Sequence, residues 1–71
     1  MTFVLTISSQ EDVQRLRALA LSVPEAVTVR SKNGEIALNA KSPMGIYAMD
    51  FSQPVEIISE SQTLMDALRS W

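Results

Sequence analysis

The side chain in this sequence with the clearest chemical use is the hydroxyl of Ser42, which stands directly before Pro43. Serine favours the position that caps the start of a helix, and proline favours the first helical position. A phosphate on a serine there would meet free backbone N–H groups and the positive end of the helix dipole, and Lys41 could add a charge-assisted contact. The pattern predicts a helix cap, and this position is compatible with a phosphate on the serine.

Two neighbouring carboxylates, Glu11 and Asp12, are the other side chains whose type and spacing could serve acid–base chemistry. They follow Ser8 and Ser9, each of which stands three residues before an acid, and this is the spacing of a helix-capping box. Negative charge in a first helical turn also complements the helix dipole. Capping accounts for the pair without catalysis, so we predict no catalytic residue.

The composition excludes several classes of site. The 71 residues include no cysteine and no histidine, which excludes Cys/His zinc sites and nucleophile–histidine pairs. Eight acidic residues outnumber six basic ones, whereas nucleic acid and anionic membranes require a concentrated basic face. The two glycines are isolated, and the first ten residues lack the pattern of a signal peptide. We therefore predict a cytoplasmic, non-enzymatic protein without cofactor or metal that binds neither nucleic acid nor membrane.

The elements that position these residues follow from the spacing of apolar side chains. Alternation of apolar residues predicts four strands, over residues 3–7, 26–31, 35–40 and 55–58. Asn33-Gly34 predicts a two-residue turn that joins the second and third strands into a hairpin. Capping residues and helical spacing predict three helices: one from Ser8 or Ser9 to Pro24, a short one from Ser42, and a terminal one from Ser59 or Ser61.

This β-α-β-β-α-β-α order predicts one α+β domain over residues 1–71, with a four-stranded antiparallel sheet and its three helices on one face. The short helix is expected to bury Ile46 and Met49, whereas Arg15 and Arg17 are expected to face solvent. The rest of the predicted core consists of Phe3, Leu5, Ile7, Leu16, Ala20, Val27, Val29, Ile36, Leu38, Leu64 and Leu68.

Segment 41–45, KSPMG, resembles the segment around the regulatory serine of the histidine-containing phosphocarrier (HPr) proteins of Gram-positive bacteria. The resemblance extends loosely over residues 26–71 and implies the HPr-like open-faced β-sandwich with sheet order 1-4-2-3. It also implies that Ser42 is a regulatory phosphorylation site. Met44 and Tyr47 would then belong to a surface that meets protein partners.

The chain departs from that family in its N-terminal third. Family members carry Gly-Leu-His-x-Arg-Pro, with the histidine that accepts phosphate, where residues 8–12 of this chain read SSQED. In addition, Pro43 stands where the family usually has isoleucine. The resemblance therefore implies a non-catalytic bacterial protein with a role in carbon regulation. It would be related to the sugar phosphotransferase system but would lack histidine phosphocarrier activity.

A ferredoxin-like regulatory domain that binds a small metabolite is the alternative interpretation. That fold requires two helices of comparable length, with the second one between the third and fourth strands, and a groove large enough for a ligand. Residues 41–53 leave room for only about two helical turns, which favours the HPr-like interpretation. The identity of a partner and the oligomeric state stay open at this point.

Overall fold

Four strands and two α-helices form within residues 1–43 and 45–71, the part of the chain that the computed structural model describes. The strands are β1 (Thr2–Leu5), β2 (Val27–Ser31), β3 (Ala37–Asn39) and β4 (Val55–Ser59). The helices are α1 (Gln10–Leu21) and α2 (Gln62–Arg69), and a 3₁₀ turn, Gly45–Ala48, lies between β3 and β4. No helix in these two ranges is both long and apolar enough to cross a membrane.

The strands form one antiparallel sheet in the order β1-β4-β2-β3, which confirms the predicted order. Its register places one residue of each strand side by side in rows across the sheet. One row faces the helices and is apolar: Phe3, Ile57, Val29 and Leu38. The row beside it lies on the open face, where the Nε of Arg30 donates to the carboxylate of Glu56 at 2.8 Å.

Both helices begin at serine caps that the sequence predicts. The Ser9 hydroxyl accepts from the N–H of Asp12 at 3.2 Å, and the Asp12 carboxylate accepts from the backbone N–H and the hydroxyl of Ser8. At the start of α2, the buried Ser61 hydroxyl accepts from the N–H of Leu64 at 3.1 Å. The carboxylate of Asp12 is therefore engaged in capping, as the spacing of the two serines and two acids predicts.

The prediction of three helices is wrong, because the segment after Ser42 forms one 3₁₀ turn of four residues, Gly45–Ala48. Glycine is a poor helix former, and Asp50 begins a new turn in which its carboxylate accepts from the N–H of Ser52 at 2.9 Å. Ile46 and Met49 are nevertheless buried, as predicted. A single turn is enough to bring two side chains three residues apart onto the core.

The predicted hairpin of the second and third strands forms, but its turn differs from the predicted one. Within the hairpin loop, Gly34 has a positive φ of 78° and Asn33 does not, whereas a two-residue turn of the predicted kind requires a positive φ at both. The loop instead spans four residues, closed where the N–H of Ser31 donates to the carbonyl of Ile36 at 2.8 Å. The Asn33 side-chain oxygen accepts from Ser31 and Glu35, and these bonds hold the loop.

Ile36 is the one predicted core residue that lies at the surface, with 43% of its area exposed. The register places it beside Ser31, next to the loop that joins the two strands. The sequence predicts Ile36 and Leu38 opposite the two valines of β2, whereas in the structure Leu38 pairs with Val29 and the fully buried Ala40 takes the place beside Val27. Phe3 and Leu38 are half-buried against the core, and the other predicted core residues are buried: Leu5, Ile7, Leu16, Ala20, Val27, Val29, Leu64 and Leu68.

Candidate functional site at the Ser42 turn

Ser42 lies in a tight turn at the end of β3, and residues 39–43 with Gly45 and Ile46 are named the Ser42 turn below. The backbone N–H of Ser42 donates to the carbonyl of Asn39 at 3.1 Å, and the Asn39 side chain accepts from the N–H of Lys41 at 2.9 Å. The Ser42 hydroxyl accepts from the N–H of Gly45 at 3.0 Å. The predicted capping contact is therefore formed, although it precedes a 3₁₀ turn rather than an α-helix.

Gly45 is fitted closely to the Ser42 side chain. A Cβ atom at position 45 would lie 3.0 Å from the Ser42 hydroxyl oxygen and 3.3 Å from the Ser42 Cβ. These separations are shorter than ordinary van der Waals contact, so a larger residue would push the hydroxyl away from the backbone N–H that it accepts from. The glycine is thus needed for close approach and not for an unusual backbone angle.

The core holds the Ser42 turn at both of its ends. Ala40 is fully buried, and its N–H donates to the carbonyl of Val27 at 2.9 Å. Ile46 is fully buried on the other side, with Met49 close behind it at 5% exposure. Between these anchors Ser42 is half-buried and Pro43 is exposed. The arrangement presents the serine at the surface on a fixed piece of backbone.

Lys41 makes a contact that the sequence does not suggest. Its ammonium group donates to the carbonyl of Val23 at 2.8 Å, in the loop that follows α1. An ammonium group has three N–H donors, so the expected charge-assisted contact with a phosphate on Ser42 would form beside this bond or in its place. In the structure the lysine ties the Ser42 turn to the end of α1, and no sequence pattern links residues that are 18 positions apart in this way.

The family resemblance assigns Met44 and Tyr47 to a partner surface, and the side chains of both lie outside the described part of the structure. Met44 lies outside the described residues. For Tyr47 the structure describes the backbone, which belongs to the 3₁₀ turn, and its side chain lies outside the description. The surface that Met44 and Tyr47 are expected to form therefore stays a prediction.

The two arginines of α1 that are expected to face solvent lie in different environments: Arg15 is exposed, as predicted, whereas Arg17 is half-buried. The Arg15 guanidinium lies over the Trp71 ring, 4.4 Å from its centre, a cation–π contact between α1 and the residues after α2. The Nε of Arg17 is buried and has no hydrogen-bond partner among the described residues. The contact between Arg15 and Trp71 depends on how distant parts of the chain pack, so helical spacing alone gives no signal for it.

A groove of about 370 Å³ lies outside the Ser42 turn, between the hairpin loop and the segment before β4. Ile36, Met49 and Pro54 supply apolar lining, while Lys32 and Asp50 bring opposite charges to its walls. Hydrogen bonds from the Ser52 side chain and backbone lower the pKa of Asp50, so this carboxyl is ionised at neutral pH. The exposed Ile36, which the sequence assigns to the core, is part of this groove.

Comparisons with protein-family models, with curated proteins and with solved structures give no match. A function for this chain must therefore be argued from the Ser42 turn and from the residues that the sequence and the fold bring around it.

Proposed function

We propose that this chain is a non-catalytic, HPr-like regulatory domain that binds other proteins and is controlled by phosphorylation of Ser42. The observation that carries the proposal is the Ser42 turn, where a half-buried serine stands on backbone held by three local hydrogen bonds and two buried neighbours. Such a site can accept a charged group while the fold around it stays in place.

The position of the serine in the chain topology supports the proposal. Ser42 follows the edge strand β3 and precedes a short turn that leads to the central strand β4. The family resemblance implies this same place for the regulatory serine, together with the strand order 1-4-2-3. The motif of five residues is weak by itself, and its agreement with the observed strand order strengthens it.

Phosphorylation of Ser42 would have a simple chemical course. A kinase would transfer the γ-phosphoryl group of ATP to the serine oxygen, with release of ADP and of the hydroxyl proton. In the structure this oxygen accepts from the N–H of Gly45, and its own proton has no acceptor among the described residues. The product would carry about −1.5 to −2 charges beside Lys41 and would change the surface offered to partners.

The first turn of α1 supports a protein without phosphocarrier activity. Where the family has its phosphorylated histidine, this chain has Ser8 and Ser9, whose polar groups are engaged with Asp12. Glu11 adds a second negative charge to the same turn. Two carboxylates would repel an incoming phosphoryl group, and the chain has no histidine to accept one.

The ferredoxin-like alternative is favoured by one observation and opposed by another. The groove of about 370 Å³ beside the hairpin loop is large enough for a small metabolite. The described part of the segment between β3 and β4, however, contains one 3₁₀ turn of four residues in place of the full second helix that this fold requires. We therefore retain the HPr-like proposal.

Incubation with phosphorylated enzyme I of the sugar phosphotransferase system tests the absence of phosphocarrier activity. We expect no acid-labile phosphate on this chain, because its 71 residues contain no imidazole to receive one. An authentic HPr protein in a parallel reaction shows that the donor is active. Stable acid-labile labelling of this chain would overturn the proposal that it is not a phosphocarrier.

A further inference from the structure

The outer edge of β1 has unpaired backbone groups at regular spacing. Strand β1 lies at one end of the sheet, and the N–H of Ser59 donates to the carbonyl of Met1 at 3.0 Å. In an antiparallel ladder this bond fixes the alternation, so Phe3 and Leu5 bond to β4 while the N–H and C=O groups of Thr2 and Val4 point outward. These outward groups can pair with another strand.

This edge lacks the features that protect exposed strands in other proteins. Charged side chains, proline and bulges commonly blunt such edges, yet the first ten residues contain neither a charged side chain nor a proline. Val4 is 63% exposed on the open face of the sheet. The neighbouring charge of Glu56 is compensated, because its carboxylate is 2.8 Å from the Nε of Arg30.

The opposite edge of the sheet, strand β3, is protected by comparison. It is only three residues long, and the carbonyl of Asn39 already accepts from the N–H of Ser42 at 3.1 Å. The N–H of Glu35, just before the strand, donates to the Asn33 side chain at 3.0 Å. Ala37 is thus the residue of β3 best placed to pair with another strand.

The sequence of β1 is complementary to itself when two copies run antiparallel. With the two-fold axis at Val4, each Val4 lies opposite its counterpart. The alternation of exposed and buried residues continues through Thr6 and Ile7. Thr2 therefore lies opposite Thr6, and Phe3 lies opposite Leu5. Apolar residues meet apolar residues and threonines meet threonines, which are favourable cross-strand pairs.

We propose that β1 pairs with β1 of a second copy of this chain, which joins the two sheets into one continuous eight-stranded sheet. The contact is isologous, so it closes at two copies and does not continue into a fibre. A single strand edge buries less than the ~1,200 Å² of standard interfaces, which places the pair in the weak and reversible class. This inference does not depend on the phosphorylation of Ser42.

Sedimentation equilibrium over a wide range of concentrations tests the pairing. We expect the wild-type mass to rise with concentration towards twice the monomer mass. Val4→Lys should stay monomeric at every concentration, because it places two ammonium groups face to face at the two-fold axis. The matched control, Ala37→Lys, puts the same charge on the opposite edge and should associate like the wild type.

A wild type that stays monomeric at all concentrations overturns the pairing, as does an equal loss of association in both lysine variants. A mass that rises beyond two copies overturns the closed two-fold arrangement.

A second pair of variants is independent of charge and of the stability of the lysine variants. Since the chain has no cysteine, a short bis-maleimide should link Val4→Cys into a covalent dimer and leave Ala37→Cys monomeric. Equal linking of both cysteine variants would also contradict the pairing.

Discussion

Replacing Leu16 by alanine is expected to lower the free energy of unfolding by about 2–5 kcal/mol. Leu16 is fully buried on the inner face of α1 and belongs to the core cluster that also contains Val29 and Ile57 of the sheet. A domain of 71 residues has a total stability of only about 4–11 kcal/mol at typical values per residue. The variant should therefore be close to unfolding at room temperature, with a clearly lower midpoint in urea.

Leu21 provides the matched control for this substitution. It belongs to the same helix but is 51% exposed, so Leu21→Ala removes the same atoms from a site that is already half in water. We expect a loss of less than about 1 kcal/mol for this variant. A loss below about 1 kcal/mol at Leu16, or equal losses at both leucines, would mean that the buried face of α1 is misassigned.

Replacing Gly45 by alanine is expected to cost about 1–3 kcal/mol, because the new Cβ would lie 3.0 Å from the Ser42 hydroxyl oxygen. The hydroxyl must then move and give up the bond from the N–H of Gly45. Removing that hydroxyl first should reduce the cost. In a double-mutant cycle with Ser42→Ala, we expect a coupling of at least about 0.5 kcal/mol.

The other glycine is the control for this cycle. An added Cβ at Gly34 meets nothing within 4 Å, and alanine there is disfavoured only by the φ of 78°. The cost of Gly34→Ala should therefore be the same with serine or alanine at position 42. If the cost of Gly45→Ala were also the same with serine or alanine at position 42, the close contact between Gly45 and Ser42 would not govern the stability of the turn.

Local signals in the sequence predict much of this fold because their physics is local. Ser9 and Ser61 cap the two helices through contacts that span three residues, and such contacts can be inferred from spacing alone. Alternation in the strands likewise gives the correct inner face for Val27 and Val29. The strand order came from the family resemblance rather than from periodicity, and the structure agrees with it.

The predictions that are wrong concern residues whose burial or conformation depends on tertiary structure. Ile36 fits the alternation of the strand, but it lies next to the hairpin loop and is 43% exposed, and the smaller Ala40 is buried beside Val27. Ser42-Pro43 suggests a helix, yet its length is set by the turn at Asp50. In the candidate site, the capping role of Ser42 could be predicted, whereas the bond from Lys41 to the Val23 carbonyl depends on packing between distant segments.

Phosphorylation by an HPr-type kinase with ATP, followed by intact mass measurement and localisation of the phosphate, tests the regulatory role of Ser42 most directly. An authentic HPr substrate serves as the positive control, and Ser42→Ala is the matched negative control. We expect the wild type to gain one phosphate on Ser42 and to stay folded, while Ser42→Ala gains none. A wild type that remains unmodified while the authentic substrate is phosphorylated, or one modified at another residue, would contradict the proposal and leave Ser42 with its capping role alone.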